Sequence, residues 1–208
     1  AVVYENKLNW IEYTMNELYP VFLKVHQLET LLVGAGNVGL EKLSFLLKSS
    51  PNAKVTIVSK DFLKEIVTIA KDNSNIKMVQ DAYNDEYLNE KHLVIAATDN
   101  KEVNKKVYHD AKKRYLLVNV ADTPEYCDFY LGGIVTKGNI KIGISTNGKS
   151  PTTAKRLRQL FEEIIPDDIN EMVENINKYR DTLMKKNKEW TNKKGVVSPF
   201  LFVHFLNH

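Results

Sequence analysis

The chain has 208 residues, of which 43% are hydrophobic, and this suffices for one large domain or a principal domain with small appendages. A formal charge of +3 is too mild to point to nucleic acid, but it suits an acidic small molecule where cations converge. A single cysteine, Cys127, excludes an internal disulfide framework and a cysteine zinc site, and fits a reducing cytoplasm.

Met15 reads as an initiator, which would make residues 1–14 an extension. From Glu29 onward, short β-branched runs alternate with helical patterns. Residues 30–33 read as a buried strand, 38–47 as a helix and 54–58 as a second strand. Asp61 opens a helix with Phe62, Ile66 and Ile69 on its apolar side, or alternatively caps it. Strands are expected at 76–79, 92–97 and 116–120, with a helix at 100–114 that spaces Val103, Val107 and Ala111 by four. This rhythm implies an α/β protein with a Rossmann-like parallel sheet covered on both faces. The rhythm then changes. Strand-like runs at 129–136 and 140–145, joined by Lys137-Gly138-Asn139, predict an antiparallel hairpin. Helices follow at 151–165 and 167–190, separated by Pro166. The second carries a stripe of Ile169, Met172, Val173, Ile176, Tyr179 and Leu183. The predicted organisation is a dinucleotide-binding domain at 15–122, a hairpin region at 123–150 and a helical region at 151–208. The tail from residue 195 turns apolar around Phe200, Leu201, Phe202, Val203 and Phe205, and is expected to pack or to cover a partner. It is too short to span a bilayer, and no run approaches the roughly 18 apolar residues of a membrane helix. No membrane association is expected.

Gly34-Ala35-Gly36-Asn37-Val38-Gly39 follows a predicted strand and opens a predicted helix, the setting in which a glycine pattern signals a dinucleotide. Gly34 permits the turn, Gly36 lets the backbone approach a pyrophosphate, and Gly39 lets helix and strand pack closely. After the second strand, Ser59 or Asp61 would take ribose hydroxyls and favour NAD. Lys60 would attract a 2′-phosphate and favour NADP. NAD is the expected cofactor. The five histidines show no metal-ligand spacing, so no bound structural metal is expected, and Cys127 reads as a packed thiol.

Five segments in order resemble the precorrin-2 dehydrogenases, the N-terminal part of siroheme synthases, over about residues 17–166. They are Tyr19-Pro20-Val21-Phe22-Leu23, the glycine loop with Lys42, and Ala96-Ala97-Thr98-Asp99-Asn100 with Val103-Asn104. Asn119-Val120-Ala121-Asp122 with Pro124 and Cys127-Asp128-Phe129 is the fourth, and is the most diagnostic. The run from Ile144 to Pro151, with Ala154, Arg156 and Leu157, completes the set. The resemblance implies a Rossmann domain, a dimerisation region built around the hairpin and a helical end. It implies oxidation of precorrin-2 to sirohydrochlorin with NAD, and a cytoplasmic homodimer. Some members also insert ferrous iron, and the residues leave this open. The family's cofactor contacts fall on Asn37, Val38, Lys60 and Asp61, and Thr98 joins them from the segment after the fourth strand. Its key aspartate falls on Asp122. The family often carries alanine where Gly39 stands, which reads as a tolerable swap.

Precorrin-2 bears many carboxylates, so its pocket needs donors. The polar loop Ser145, Thr146, Asn147, Gly148, Lys149 and Ser150 leads into a helix N-terminus and is the candidate substrate-binding segment. Lys155 and Arg156 lie just beyond it. Ser150 also reads as an ordinary helix cap. The alternative from another class is a non-catalytic NAD-binding sensor, which explains the glycine loop but not Asp122 or the 145–150 loop.

Overall fold

The computed structural model describes residues 16–194, with side chains placed as far as residue 186. The Met15 start, the 1–14 extension and the apolar tail lie outside the described residues. Five strands make one parallel sheet: β1 (Glu29–Val33), β2 (Lys54–Ser59), β3 (Ile76–Gln80), β4 (Leu93–Ala96) and β5 (Leu117–Val120), in the order β3-β2-β1-β4-β5. The helices α1 (Asn37–Ser49), α2 (Lys64–Lys71) and α3 (Lys101–Lys113) connect them. The expected Rossmann-like sheet is therefore present.

Successive strand residues point to opposite faces, so each β-branched run feeds two cores. On one face Leu32, Ile57 and Ile95 pack with Leu43 and Leu46 of α1 and Ile66 of α2. On the other, Leu31, Val33, Val94 and Val118 pack with Val107 and Ala111 of α3. β1 and β4 are buried almost throughout, as central strands covered by helices must be. Because β1 pairs with β2 on one side and β4 on the other, the chain reverses its direction of travel between β1 and β4. The crevice beyond the carboxyl ends of those two strands is where such sheets place ligands.

Two boundaries differ from the sequence pattern. α2 begins at Lys64 rather than at Asp61, because the extended backbone of its N-cap residue Leu63, at ψ 144°, breaks the helical path before it; the Leu63 N–H donates to the Ala35 carbonyl at 3.1 Å. Asp61 is therefore not a cap. The hairpin's first strand also begins late. β6 (Gly133–Lys137) and β7 (Ile140–Ile144) form a two-stranded sheet, whereas residues 128–129 bond back onto β5. There the Asp128 N–H donates to the Val118 carbonyl at 2.7 Å, and Asn119 Nδ2 donates to the Phe129 carbonyl at 2.8 Å.

The described chain divides into two compact units, one running through Ile134 with Gly143–Arg156, the other Val135–Ile142 with the residues from Leu157 on. α4 (Pro151–Ile164) begins in the first and continues into the second, which also holds α5 (Ile169–Lys194). In the second unit the hairpin tip is pinned to α5. Gly138 turns at φ +53°, the Asn139 N–H donates to Asn170 Oδ1 at 3.0 Å, and Lys137 pairs with Asp167. The predicted stripe on α5 stays largely uncovered, with Met172, Ile176 and Tyr179 each more than half exposed. Among the described residues no helix is long and apolar enough to cross a membrane.

Candidate functional site

The glycine loop leaves β1 at the reversal point and is held almost wholly by backbone. The Gly34 N–H donates to the Val58 carbonyl at 2.9 Å, and the Ala97 N–H donates to the Val33 carbonyl at 2.8 Å. Gly34 turns at φ +103°, where L side chains rarely go, and a Cβ there would stand 2.5 Å from the Ala97 carbonyl oxygen. A Cβ on Gly39 would stand 2.2 Å from the Gly34 carbonyl oxygen. An alanine at Gly39 would therefore require this backbone to shift. Gly36 differs from both: a Cβ there would meet nothing within 4 Å. Its hydrogen faces open space rather than protein.

Gly36 is also the N-cap of α1. It supplies no side-chain cap, and the first turn of Asn37, Val38 and Gly39 contains no acidic residue. The leading N–H groups of that turn have no intrahelical acceptor, and no acidic residue of that turn neutralises the helix's positive end. A cradle that a Cβ would fill, beside uncapped donors, fits the pyrophosphate of a dinucleotide.

At the end of β2, Ser59 Oγ accepts the Ala35 N–H at 3.2 Å, so Ser59 braces the glycine loop as well as bordering it. Lys60 and Asp61 follow on the surface, and neither side chain has a partner among the described residues. At the end of β4, Thr98 is tied to Asn104. Its N–H and hydroxyl both reach Asn104 Oδ1, at 3.1 and 2.6 Å, and Asn104 Nδ2 donates to the Thr98 carbonyl at 2.9 Å. The hydroxyl that the sequence offers to a cofactor is therefore engaged within its own loop. Buried Asn104 was absent from the predicted site residues, although it stood in the segment Val103-Asn104 that carries the resemblance.

Asp122 lies two residues beyond β5, at the same carboxyl edge of the sheet, where the Ala121 N–H donates to the Ala96 carbonyl at 2.9 Å. It is exposed, turns at φ +56°, and its carboxylate has no partner among the described residues. Around it the turn is closely bonded: Cys127, half-buried, contacts Val120 and Thr123 through its sulfur. Burial pushes the Cys127 thiol up from its ordinary value, so it stays protonated, as a packed thiol should. Asp128 accepts the Val118 N–H at 3.0 Å and pairs with Lys112 at 2.8 Å.

The 145–150 loop spends its hydroxyls internally. Ser145 Oγ accepts the Asn147 N–H at 3.1 Å, and Thr146 Oγ1 accepts the Ser150 N–H at 3.2 Å. Ser150 Oγ accepts the Thr153 N–H at 3.2 Å, the geometry of a helix cap on α4. Asn147 and Gly148 turn at φ +53° and +73°, and Lys149 projects from the exposed side. The glycine loop, Ser59 and Thr98 thus come together at the β1–β4 reversal, with Asp122 one strand further along that edge. The hydrogen bonds of Ser145, Thr146, Asn147 and Ser150 stay within their own loop and α4. Among the described residues no three His, Cys, Asp or Glu side chains converge as a metal site.

Comparison with known proteins agrees with this geometry. A family model described as putative NAD(P)-binding matches residues 21–133, and one described as sirohaem biosynthesis protein central matches residues 137–164. The chain is 32% identical over 192 residues to a siroheme synthase of Psychrobacter cryohalolentis, covering 88% of this chain and 36% of that protein. It is 33% identical over 172 residues to one of Ruthia magnifica, covering 83% and 36%. The chain therefore spans about a third of the length of the curated relatives it matches. The solved structure of SirC, a precorrin-2 dehydrogenase, shares the fold with a TM-score of 0.62 at 22% identity, over 76% of each chain. With more than half of its length matched by that first model, and its glycine cradle formed as the match requires, the chain belongs to the putative NAD(P)-binding family.

Proposed function

We propose that the protein oxidises precorrin-2 to sirohydrochlorin with NAD, as a step of siroheme biosynthesis. The observation that carries this reading is the extent of the likeness to siroheme synthases. It runs through the dinucleotide unit and on into the central segment at 137–164, whereas a nucleotide sensor would need only the first.

Each residue group then has a task. Gly34, Gly36 and Gly39 shape the cradle, and the N–H groups of Asn37, Val38 and Gly39 receive the pyrophosphate. Asp61, released from capping, takes ribose hydroxyls and favours NAD, with Ser59 and Lys60 beside it and Thr98 bordering the crevice. NAD, when bound, supplies the hydride acceptor. Asp122 receives the proton that leaves with the hydride, or holds pyrrole N–H groups; its carboxylate is free to do either. For the substrate carboxylates the 145–150 loop offers the backbone N–H of Gly148 more than its committed hydroxyls, with Lys149 in the same segment.

The three-part division at 15–122, 123–150 and 151–208 belongs to this reading, with the middle part as the dimerisation region. A homodimer is supported by the neighbouring exposed apolar side chains Met172, Ile176 and Tyr179 of α5. The cytoplasm is the expected compartment, and ferrous iron the second substrate if the protein also chelates.

The test is anaerobic incubation with precorrin-2 and NAD, with NADP in parallel, followed by absorbance of NADH and sirohydrochlorin. Product with NAD supports the reading, and subsequent ferrous iron reveals chelation. Binding of NAD without oxidation overturns it in favour of the sensor. Asp122→Ala should retain NAD affinity but turn over on the order of 100-fold more slowly; undiminished turnover removes Asp122 from the mechanism.

A further inference from the structure

Asp122 presents a carboxylate that no other side chain holds among the described residues. Its direction is therefore set by its backbone, which sits at φ +56° in the left-handed region that L residues disfavour. Asp tolerates that region better than most residues, yet it needs surrounding bonds to stay there. Two come from Thr123, whose N–H donates to the Val120 carbonyl at 3.3 Å and whose hydroxyl donates to the Ala121 carbonyl at 3.2 Å, and a further set converges on one atom. Cys127 Sγ donates to the Val120 carbonyl at 3.2 Å, with the Thr123 carbonyl at 3.4 Å as a second acceptor. The same sulfur accepts from the Val120 N–H and from Asn119 Nδ2, each at 3.4 Å. Val120 and Thr123 flank Asp122 on its two sides, so the thiol adds a second bridge across the mouth of the turn that the Thr123 N–H closes.

The sulfur is delivered there by anchors on either side. Tyr126 stacks on Tyr108 of α3 with ring centroids 4.5 Å apart, and Asp128 is fixed by the Val118 N–H and Lys112. With residues 126 and 128 both held, Cys127 has little freedom to turn elsewhere. We infer that Cys127 is a positioning residue, whose thiol locks the left-handed turn at Asp122 and so aims the carboxylate. This rests on the reading of Asp122 as the carboxylate that serves the oxidation. The thiol itself takes no part in bond making.

The experiment is a double-mutant cycle on the full chain, with Cys127→Ala and Cys127→Ser each made alone and in the Asp122→Ala background. Alone, Cys127→Ala should lower kcat about tenfold and leave the KM for precorrin-2 and the affinity for NAD unchanged. Cys127→Ser keeps a donor and acceptor at the site and should recover most of the loss. In the Asp122→Ala background neither substitution should cost anything further, because the group being aimed is gone. An equal loss in both backgrounds, or an unchanged kcat in Cys127→Ala, overturns the inference. Amide exchange at Thr123, whose N–H donates to the Val120 carbonyl at 3.3 Å, reads the clamp without turnover. It should quicken in Cys127→Ala while Val118 in β5 stays protected, and unchanged exchange at Thr123 shows that the thiol does not hold the turn. If the wild-type chain does not oxidise precorrin-2, the functional reading and the aiming role both fall. The exchange measurement then decides only whether the lock exists.

Discussion

Two loops of this molecule lead into helices at sites that the sequence marks for ligands, and they are built in opposite ways. The glycine loop before α1 is held by backbone hydrogen bonds and by the absence of side chains, so its open face at Gly36 presents bare peptide. The 145–150 loop before α4 is held by its own hydroxyls, with Ser145, Thr146 and Ser150 each bonded to a neighbour in the loop or to the helix. A ligand at the first loop meets donors left over by the fold. At the second, the side chains that look most suited to a ligand are already occupied, and what remains is backbone at the Gly148 turn. Polarity in a sequence therefore does not distinguish a binding loop from a self-bonded one.

Substitutions sharpen this contrast. Gly34→Ala should have the largest effect, destabilising the protein by about 3 kcal/mol or more in urea unfolding, because it combines a left-handed backbone with overlap on the Ala97 carbonyl. A near-neutral result would mean that the loop is far softer than its bonds imply. Gly36→Ala separates fold from ligand. Its Cβ enters empty space, so stability should change by no more than about 1 kcal/mol. NAD affinity, followed by titration calorimetry, should nonetheless fall at least about tenfold, or 1.4 kcal/mol. Retained affinity would show that the pyrophosphate does not approach there. Ser150→Ala should be the mildest, costing about 1 kcal/mol of stability through the lost cap on α4. Were it to raise the KM for precorrin-2 strongly without that stability loss, the loop's hydroxyl would be a substrate contact after all, and the contrast would break.

Legibility in the sequence followed the range of the interactions involved. Gly34, Gly36 and Gly39 were readable because a strand, a tight turn and a helix follow one another within a few residues. Asn100 capping α3 and Ser150 capping α4 are equally local. Thr98 lies just after β4, as the strand pattern implied, yet its engagement by Asn104 depends on how the first turn of α3 folds back over the loop. The run Cys127-Asp128-Phe129 stood out by resemblance, with Cys127 read as a packed thiol and Phe129 as the start of a hairpin strand. Its actual task, bonding along β5 and closing the turn at Asp122, requires knowing that β5 is an edge strand with unpaired groups to satisfy.

By itself, then, the sequence determined the alternation of strands and helices, the parallel sheet, the glycine cradle and the hairpin, because hydrophobic period and turn chemistry are set by neighbours along the chain. The tertiary structure alone decided the strand order that puts the reversal between β1 and β4. It also decided the consumption of the 145–150 hydroxyls and the bonds around Asp122. Each of these depends on what lies across from a residue in space, and a one-dimensional pattern does not record that.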